Sequence, residues 1–281
     1  MTVPNLDLKD GTTIPQLGFG TFQIPPEDTK EAVLTAFETG YRHIDTAQMY
    51  GNEKEVGEAI AESGLAREDI FVTTKLNNNN HRPEDVRRSL DESLTKLGLD
   101  RVDLFLIHWP MPGEYDGDFP STWRAMLEAR DEGKVISPGV SNFEPHHLDR
   151  IVDETGQAPV INQIEVHPYF ANNTARDATA KHGALVEAWS PIAQGEILDD
   201  ETVTAIAGEV DRTTAQVTLR WHVQRGDIIF PKSVTPDRMR SNFAIFDFEL
   251  SEDQMRRIDG LDRGEDGRRG PNPDEMNVIP D

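Results

Sequence analysis

The sequence predicts an α/β fold, a (β/α)8 barrel of the TIM type with an N-terminal β-hairpin, as a single domain over residues 1–281. Eight short apolar segments alternate with segments of helical period, and most of the eight are apolar enough to be buried on both faces. Strands of that kind run parallel and are joined by crossover helices. A length of 281 residues also suits one such barrel.

The strands are predicted from apolar runs bounded by turn residues. The opening LDLKDGTTI alternates apolar and polar residues around Asp10-Gly11, a pair typical of a two-residue turn, and so predicts a hairpin ahead of the repeat. Eight runs follow it, at residues 16–20, 41–45, 70–75, 102–108, 135–140, 160–164, 184–189 and 227–231. Eight parallel strands are the number that closes this kind of barrel.

The helices are predicted from apolar residues spaced three or four apart. In residues 83–98, Pro83 lies near the start, Leu90, Leu94 and Leu97 form one stripe, and Gly98 ends the segment. Similar segments lie at residues 26–40, 53–64, 121–134 and 213–226. Each lies between two predicted strands, as a crossover helix should.

Three features of the chain leave alternatives. An open doubly wound sheet is the competing architecture, but no G-x-G-x-x-G pattern follows the first strand and no linker-like stretch divides the chain. Residues 262–281, rich in Gly, Pro and charge, form either a disordered C-terminal tail or a loop over the barrel. Ser137-Pro138 falls inside the fifth predicted strand, where a proline predicts a local distortion.

Charge and composition exclude several classes of partner. Asp and Glu number 51 against 28 Lys and Arg, a formal charge of −23, which repels nucleic acid and anionic membranes. The acidic surface also suggests a halophilic protein, because at about 1 M salt the screening length falls to roughly 3 Å and self-repulsion is suppressed. Cysteine is absent, which excludes disulfides and cysteine nucleophiles. Neither a signal peptide nor an apolar run of eighteen residues is evident, so we expect a cytoplasmic protein.

Polar residues end nearly every predicted strand after the first, and in a (β/α)8 barrel the chemistry lies at these carboxyl ends. A single polar residue at a strand end is usually structural. An acid, a base, a phenol and an imidazole on the same rim are different, because burying all four without a functional role would cost several kcal/mol in desolvation. The residues on this rim are Asp45, Tyr50, Lys75, His108, Ser141, Asn142, Gln163, Trp189, Ser190, Lys232 and Ser233.

Four of these residues suit the protonation of a carbonyl oxygen. Tyr has a pKa near 10 and is a weak acid unless a cation favours the phenolate, a role that Lys75 can take beside Tyr50. Asp45 can hold Lys75 charged and oriented, and His108 can hydrogen-bond the same carbonyl oxygen. The sequence therefore predicts Asp45, Tyr50, Lys75 and His108 as catalytic residues.

Protonation of a carbonyl needs a second reagent, and the remaining strand ends suit a nicotinamide that gives hydride. Amide and hydroxyl side chains at Ser141, Asn142 and Gln163 can bind its carboxamide, while the Trp189 indole offers a face for stacking. Lys232, Ser233 and Arg238 provide cations and a hydroxyl for a phosphate. The structural interpretation of this last segment is a helix start capped by Thr235 before Pro236, a role that can coexist with ligand binding.

These residues and motifs make the chain resemble the aldo-keto reductases, NAD(P)H-dependent carbonyl reductases on an eight-stranded barrel. The stretch GYRHIDTAQMYGNEKEVG, residues 40–57, matches the family signature at every defining position, and the resemblance runs from about residue 5 to 260. It implies reduction of aldehydes and ketones with Tyr50 as proton donor, and NADPH rather than NADH as the favoured cofactor. The cofactor-binding residues that it implies are Gly20, Thr21, Phe22, Asp45, Ser141, Asn142, Gln163, Trp189, Ser190, Pro191, Ile192, Lys232, Ser233, Val234, Arg238 and Asn242.

The substrate side is less closely specified. Trp189 stands where many members have Tyr, which is similar to the bacterial 2,5-diketo-D-gluconate reductases, and Ser241 stands where many carry Glu near the adenine. Short loops predict an open pocket for a small carbonyl compound, in a monomer. The predicted substrate-binding residues are Phe22, Tyr50, His108 and Trp109.

Two other function classes compete with this one. A redox-sensing regulatory protein of the same fold would keep the cofactor site, but the intact set of four catalytic residues favours an enzyme. A metal-dependent hydrolase needs several His or carboxylate ligands, yet no H-x-H or H-E-x-x-H occurs. His146-His147 follows Pro145 at a helix start and predicts a solvated face, so no metal site is expected.

Overall fold

The computed structural model describes residues 2–280 and shows a ring of eight parallel strands surrounded by helices, with a two-stranded hairpin at one end. The strands are β1 Asn5–Asp7, β2 Thr13–Pro15, β3 Phe19–Gly20, β4 His43–Asp45, β5 Phe71–Leu76, β6 Val102–Ile107, β7 Val135–Ser141, β8 Ile161–Glu165, β9 Leu185–Trp189 and β10 Ile228–Ile229. The helices are α1 Pro26–Thr39, α2 Glu53–Glu62, α3 Pro83–Leu97, α4 Phe119–Asp131, α5 Pro145–Thr155, α6 Asn173–Lys181, α7 Glu201–Val210, α8 Thr214–Gln224, α9 Pro236–Phe243 and α10 Glu252–Asp259.

The barrel closes through the residues just before β3. Strands β3 to β10 are neighbours in chain order, and Leu17 pairs in parallel with Ile229 of the last strand. Gly18 N donates to Ile229 O at 2.7 Å, and Ile229 N donates to Gln16 O at 3.0 Å. The predicted (β/α)8 barrel with its hairpin is therefore confirmed, and the open doubly wound sheet is not formed.

The hairpin covers the amino-terminal end of the barrel. Leu8 and Ile14 are buried in one apolar cluster with Leu104 and Leu106, which point into the barrel from β6. The alternate residues of β6, including Phe105, pack outward against the helices in the main core. This division leaves the opposite, carboxyl-terminal end of the strands free for a site.

Helix α3 shows how the predicted sequence signals act. Pro83 begins the helix, and Gly98 ends it in the left-handed region at φ 66° while its amide donates to Leu94 O and Thr95 O. The predicted stripe of Leu90, Leu94 and Leu97 is buried. The apolar spacing thus fixes which face of the helix packs on the sheet.

Pro138 does not distort its strand, so that prediction is wrong. Strand β7 is continuous over Val135–Ser141, and its ladder to β8 begins only at Val140, opposite Asn162. Pro138 therefore lies before the point where β8 needs a donor, and its missing N–H costs no ladder hydrogen bond. Ser137 donates its hydroxyl to Asp10 of the hairpin at 2.7 Å.

Two further observations concern the surroundings of the barrel. The C-terminal segment, residues 262–280, lies over the carboxyl-terminal end of the barrel, where the backbone amides of Arg269 and Gly270 donate to Glu165. Among residues 2–280, no helix is both long enough and apolar enough to span a bilayer.

Candidate active site

Lys75 lies at the centre of a buried hydrogen-bond network. Its Nζ donates to both oxygens of Asp45 at 2.7 and 2.8 Å, to Thr46 O at 2.9 Å and to the Tyr50 hydroxyl at 3.3 Å. Lys75 and Asp45 are fully buried at the ends of β5 and β4, while Tyr50 is partly exposed in the turn before α2. The structure thus places an ion pair directly beneath a phenol that solvent can reach.

The three groups shift one another's proton affinities. Burial alone would lower the pKa of Lys75, but the Asp45 carboxylate raises it above its ordinary value. Burial raises the pKa of Asp45, and the nearby Lys75 ammonium opposes that rise. For Tyr50, burial raises the pKa to about 12, with Lys75 lowering it and Asp45 raising it. Lys75 thus lowers the pKa of Tyr50 in the predicted direction, but burial and Asp45 outweigh the ammonium, so the net shift is upward.

His108 joins the network at its exposed side. Its ring centroid lies 5.9 Å from that of Tyr50 in an edge-on arrangement. Burial, and then the Lys75 charge, lower the pKa of His108 well below its usual value, so the imidazole is neutral. Nδ1 is buried without a hydrogen-bond partner. A neutral imidazole beside a phenol can hydrogen-bond a carbonyl oxygen without adding charge.

The next three strands supply a second layer of amide contacts. Asn142 donates through Nδ2 to His108 O at 2.9 Å, and its Oδ1 accepts from Trp189 Nε1 at 2.8 Å. Ser141 donates its hydroxyl to Gln163 O at 2.8 Å. Asn142 and Ser190 have φ values of 62° and 51°, a left-handed conformation that non-glycine residues rarely adopt outside turns and ligand sites.

Gln163 connects this layer to the ion pair. Its Nε2 donates to Asp45 Oδ2 at 2.8 Å and to Glu187 Oε2 at 2.7 Å. Glu187 was not among the predicted site residues, although a carboxylate in the middle of the apolar run ALVEAW was a signal for it. Asp45 therefore accepts from both Lys75 and Gln163, which fixes its orientation.

Asn52 is a second residue that the sequence interpretation missed. Fully buried, it donates through Nδ2 to Thr21 O at 3.0 Å and Ile24 O at 3.1 Å, and its Oδ1 accepts from the Thr46 hydroxyl at 3.0 Å. These bonds tie the loop after β3 to the end of β4. Phe22, in that loop, is 54% exposed, and its ring lies 5.0 Å from the Tyr50 ring.

Comparisons with known proteins place this site in a family. Residues 16–263 match the family model described as the aldo/keto reductase family. The chain is 48% identical to an aldo-keto reductase from Mycolicibacterium smegmatis over 98% of each chain, and 43% identical to methylglyoxal reductase DkgA from Escherichia coli over 96% of this chain and 97% of that one. A solved mutant of Gox0644 in complex with NADPH is similar to it with a TM-score of 0.94 and 42% identity, covering 99% of this chain and 100% of that one.

The chain belongs to the aldo/keto reductase family. The predicted family is thereby confirmed, and this aldo/keto reductase is an oxidoreductase. The roles predicted for single residues remain predictions, although the structure brings Asp45, Tyr50, Lys75 and His108 together as one cluster.

The segment predicted to bind a phosphate lies at the start of α9 of this aldo/keto reductase. Lys232 and Arg238 are exposed, and neither forms an ion pair with any residue between 2 and 280. The predicted helix start after Thr235 is confirmed, with Pro236 as its first residue, but the Thr235 side chain makes no capping bond, so the predicted cap is wrong. Ser233 accepts from Thr235 N at 3.1 Å. Lys232 lies in the segment before α9, and Arg238 lies in the first turn of that helix.

The remaining residues predicted to bind the cofactor lie at or after the carboxyl ends of the strands. Gly20 lies so close to Phe230 that a Cβ there would be 2.6 Å from Phe230 O. Thr21 donates its hydroxyl to Asp45 O at 3.1 Å, which places the loop carrying Phe22 against β4. Ser190, Pro191 and Ile192 follow β9, Val234 lies in the segment before α9, and Asn242 lies in the last turn of α9.

The C-terminal segment closes one side of the site. Glu165, at the end of β8, accepts from Arg269 N at 2.7 Å and from Gly270 N at 2.8 Å. Gly270 lies directly against the Trp189 ring, where a Cβ would be 2.3 Å from Cη2. Trp109, predicted to bind substrate, is 7% exposed and packs in an apolar cluster with Met276 of this segment. Trp109 thus serves packing as well as any contact with a substrate.

His146, His147 and Asp274 form the one group within residues 2–280 whose ligand atoms could surround a metal ion. However, His147 Nδ1 accepts from Glu144 N at 3.1 Å, so the neutral ring carries its proton on Nε2, the atom that faces Asp274 at 3.1 Å. A metal at Nε2 would displace that proton to Nδ1 and break the backbone bond. His147 is also 1% exposed, so the prediction of a solvated face holds only for His146.

Proposed function

We propose that this aldo/keto reductase reduces small aldehydes and ketones to alcohols with NADPH, and that Tyr50 is the proton donor. The contact of the buried Lys75 ammonium with both Asp45 and the Tyr50 hydroxyl carries the proposal. A pKa of about 12 keeps Tyr50 protonated at neutral pH, which is the state that a proton donor needs. As the carbonyl oxygen gains negative charge it becomes more basic than a phenolate, so the proton moves from Tyr50 to that oxygen.

Lys75 and His108 assist the same step. As the proton leaves Tyr50, the phenolate that remains is stabilised by the ammonium 3.3 Å away. Asp45 keeps Lys75 charged and in place through its two short contacts. The neutral His108 hydrogen-bonds the carbonyl oxygen and orients it towards the phenol.

The residues present fit a nicotinamide cofactor. NADPH, when bound, supplies the hydride that reduces the carbonyl carbon. Trp189 is partly exposed for stacking, and the left-handed backbone at Asn142 and Ser190 is the kind of strain found at ligand sites. Ser141 and Gln163 supply the amide and hydroxyl groups for the carboxamide. Gly20, Thr21 and Phe22 would border the cofactor on the other side.

The choice between NADPH and NADH depends on the segment before α9. The exposed, unpaired Lys232 and Arg238 suit a 2′-phosphate, which NADH lacks. Ser233, Val234 and Asn242 complete the contacts at that end. NADH is a weaker alternative for the same site.

The substrate is a small carbonyl compound. DkgA, similar over nearly its whole length, carries the name methylglyoxal reductase. The resemblance noted at Trp189 suggests the 2,5-diketo-D-gluconate reductase branch. The walls of the substrate pocket are formed by Phe22, Tyr50, His108 and the edge of Trp109. We also propose that the protein is one domain, a cytoplasmic monomer, and adapted to high salt through its charge of −23.

The experiment compares turnover of methylglyoxal with NADPH and NADH in wild type, Lys232→Ala, Arg238→Ala and Lys54→Ala. We expect the first two variants to raise KM for NADPH by about tenfold or more each, and to leave KM for NADH almost unchanged, because only the 2′-phosphate is lost as a partner. Lys54 is an exposed control on α2, where its only ion-pair contact within residues 2–280 is Glu58 at 3.7 Å. Equal effects on both cofactors would refute the phosphate assignment, and absence of turnover with either cofactor in any salt would refute the function.

A further inference from the structure

The interior of the barrel contains a second buried carboxyl group that the mechanism above does not use. Glu187 is fully buried on β9, where its Cα pairs with that of Gln163 on β8. The Gln163 Nε2 atom donates one hydrogen to Glu187 Oε2 at 2.7 Å and the other to Asp45 Oδ2 at 2.8 Å. One amide therefore bridges Glu187 to the carboxylate that holds Lys75.

Every ionisable group facing Glu187 belongs to this network or lies beside it. Strand β4 contributes His43 and Asp45, strand β5 contributes Lys75, and the turn before α2 contributes Tyr50. His43 Nε2 lies 3.5 Å from Glu187 Oε1 and 3.0 Å from the Thr73 hydroxyl. Burial lowers the pKa of His43 to about 3, so this histidine is neutral at physiological pH.

The charges in this interior balance only when Glu187 is protonated. The Lys75 ammonium is already matched by the Asp45 carboxylate at 2.7 Å, and the neutral His43 offers no second cation. An ionised Glu187 would be an uncompensated buried charge. Burial, and then Asp45, accordingly raise the pKa of Glu187 to about 8.

We propose that Glu187 is a positioning residue for carbonyl reduction: as a neutral acid it holds Gln163 against Asp45, and on ionising it weakens Tyr50 as the proton donor. The inference rests on the proposed role of Tyr50. An added negative charge in the barrel interior raises the pKa of Tyr50 and makes release of its proton less favourable. The ionised Glu187 carboxylate would also compete with Asp45 for electrostatic interaction with the Lys75 ammonium. Reduction should therefore slow as the pH passes the point where Glu187 loses its proton.

The first test compares kcat at pH 6.5 and pH 9 within each of three proteins: wild type, Glu187→Gln and Glu53→Gln. Glutamine keeps the acceptor for Gln163 and cannot ionise. We expect kcat of wild type to fall about three- to tenfold between the two pH values, and that of Glu187→Gln to change less than about twofold. Glu53 is a control, because it is another buried carboxyl with a raised pKa, placed at the start of α2 and bonded to Thr74. Its variant should follow wild type.

The second test needs no substrate. A carboxyl whose pKa is higher in the folded than in the unfolded chain stabilises the fold at low pH, and that stability is lost as pH rises towards the folded value. The buried histidines His43, His81 and His147, with pKa values lowered to about 3, 4 and 4, have the opposite trend but are neutral in both states above pH 7. Between pH 7 and 9, Tm of wild type should therefore fall about 2–4 °C relative to that of Glu187→Gln.

The outcomes separate this inference from the proposed function. Parallel kcat profiles for wild type and Glu187→Gln, or parallel Tm profiles, would overturn the inference while turnover itself stands. A merely structural Glu187 would lower Tm of Glu187→Gln equally at all pH values and leave the shape of the kcat profile unchanged. A wild-type protein with no turnover at pH 6.5 would overturn the proposed function and, with it, this inference.

Discussion

Replacing Lys75 by Met is the change whose cost the structure defines best. The Lys75 side chain is fully buried, and Nζ donates to both Asp45 oxygens and to Thr46 O. Methionine fills the space of the alkyl chain but carries no donor. Asp45 would then keep only Gln163 Nε2, at 2.8 Å, as a hydrogen-bond partner for a buried carboxylate.

Removing one partner of such a pair costs about 3–5 kcal/mol, because the other charge stays buried without compensation. For a chain of this size each kcal/mol moves Tm about 2–4 °C, so we expect Lys75→Met to lower Tm by ~6–20 °C. The double variant Asp45→Asn with Lys75→Met removes the stranded charge and keeps an acceptor for Gln163. It should therefore unfold at a clearly higher temperature than Lys75→Met alone.

Thermal unfolding followed by circular dichroism, with urea unfolding as a check, measures both differences. NADPH oxidation measured on the same samples should show no turnover for either variant, because both lack the ammonium beside Tyr50. If Lys75→Met melts within a degree or two of wild type, the buried ion pair is not what the distances imply. If the double variant is no more stable than the single one, the stranded charge is not the cause of the loss.

Two further predictions concern the C-terminal segment and salt. Gly270→Ala places a Cβ 2.3 Å from the Trp189 ring, so the ring or the segment must move, and KM for NADPH should rise about tenfold with a change in tryptophan fluorescence. Gly113→Ala, where a Cβ meets nothing within 4 Å, is the control, and equal behaviour of the two variants would count against a role for the segment. Tm should be higher in molar KCl than in dilute buffer, because screening relieves the repulsion of 23 net negative charges; identical values would refute the adaptation to salt.

The barrel was predictable from sequence because its signals are local and repeated. Each parallel strand is a short apolar run, and helices such as α3 have proline and glycine at their ends as well as a buried stripe. Once the strands are assigned, the barrel itself brings their polar carboxyl ends onto one rim. Asp45, Lys75 and His108 could be grouped for that reason alone.

What the sequence did not reveal depends on contacts between distant segments. Asn52 bonds to Thr21 and Ile24 in the loop after β3, about thirty positions earlier in the chain. Glu165 accepts from backbone amides more than a hundred positions later, and no local pattern indicates either contact. Whether Pro138 would interrupt a ladder hydrogen bond depended on where β8 begins to pair with β7. The direction of the Tyr50 pKa shift depended on how burial compares with one nearby ammonium, and only the complete surroundings fix that balance.

The proton donor is tested most directly by Tyr50→Phe. The variant keeps the aromatic contact with Phe22 and removes only the hydroxyl that lies 3.3 Å from Lys75. We expect NADPH affinity, measured by quenching of tryptophan fluorescence, to change less than about threefold, while kcat for methylglyoxal falls by about 10²–10⁴-fold. A variant that binds NADPH normally and reduces methylglyoxal at the wild-type rate would contradict the assignment of Tyr50, and with it the role of the Asp45–Lys75 pair.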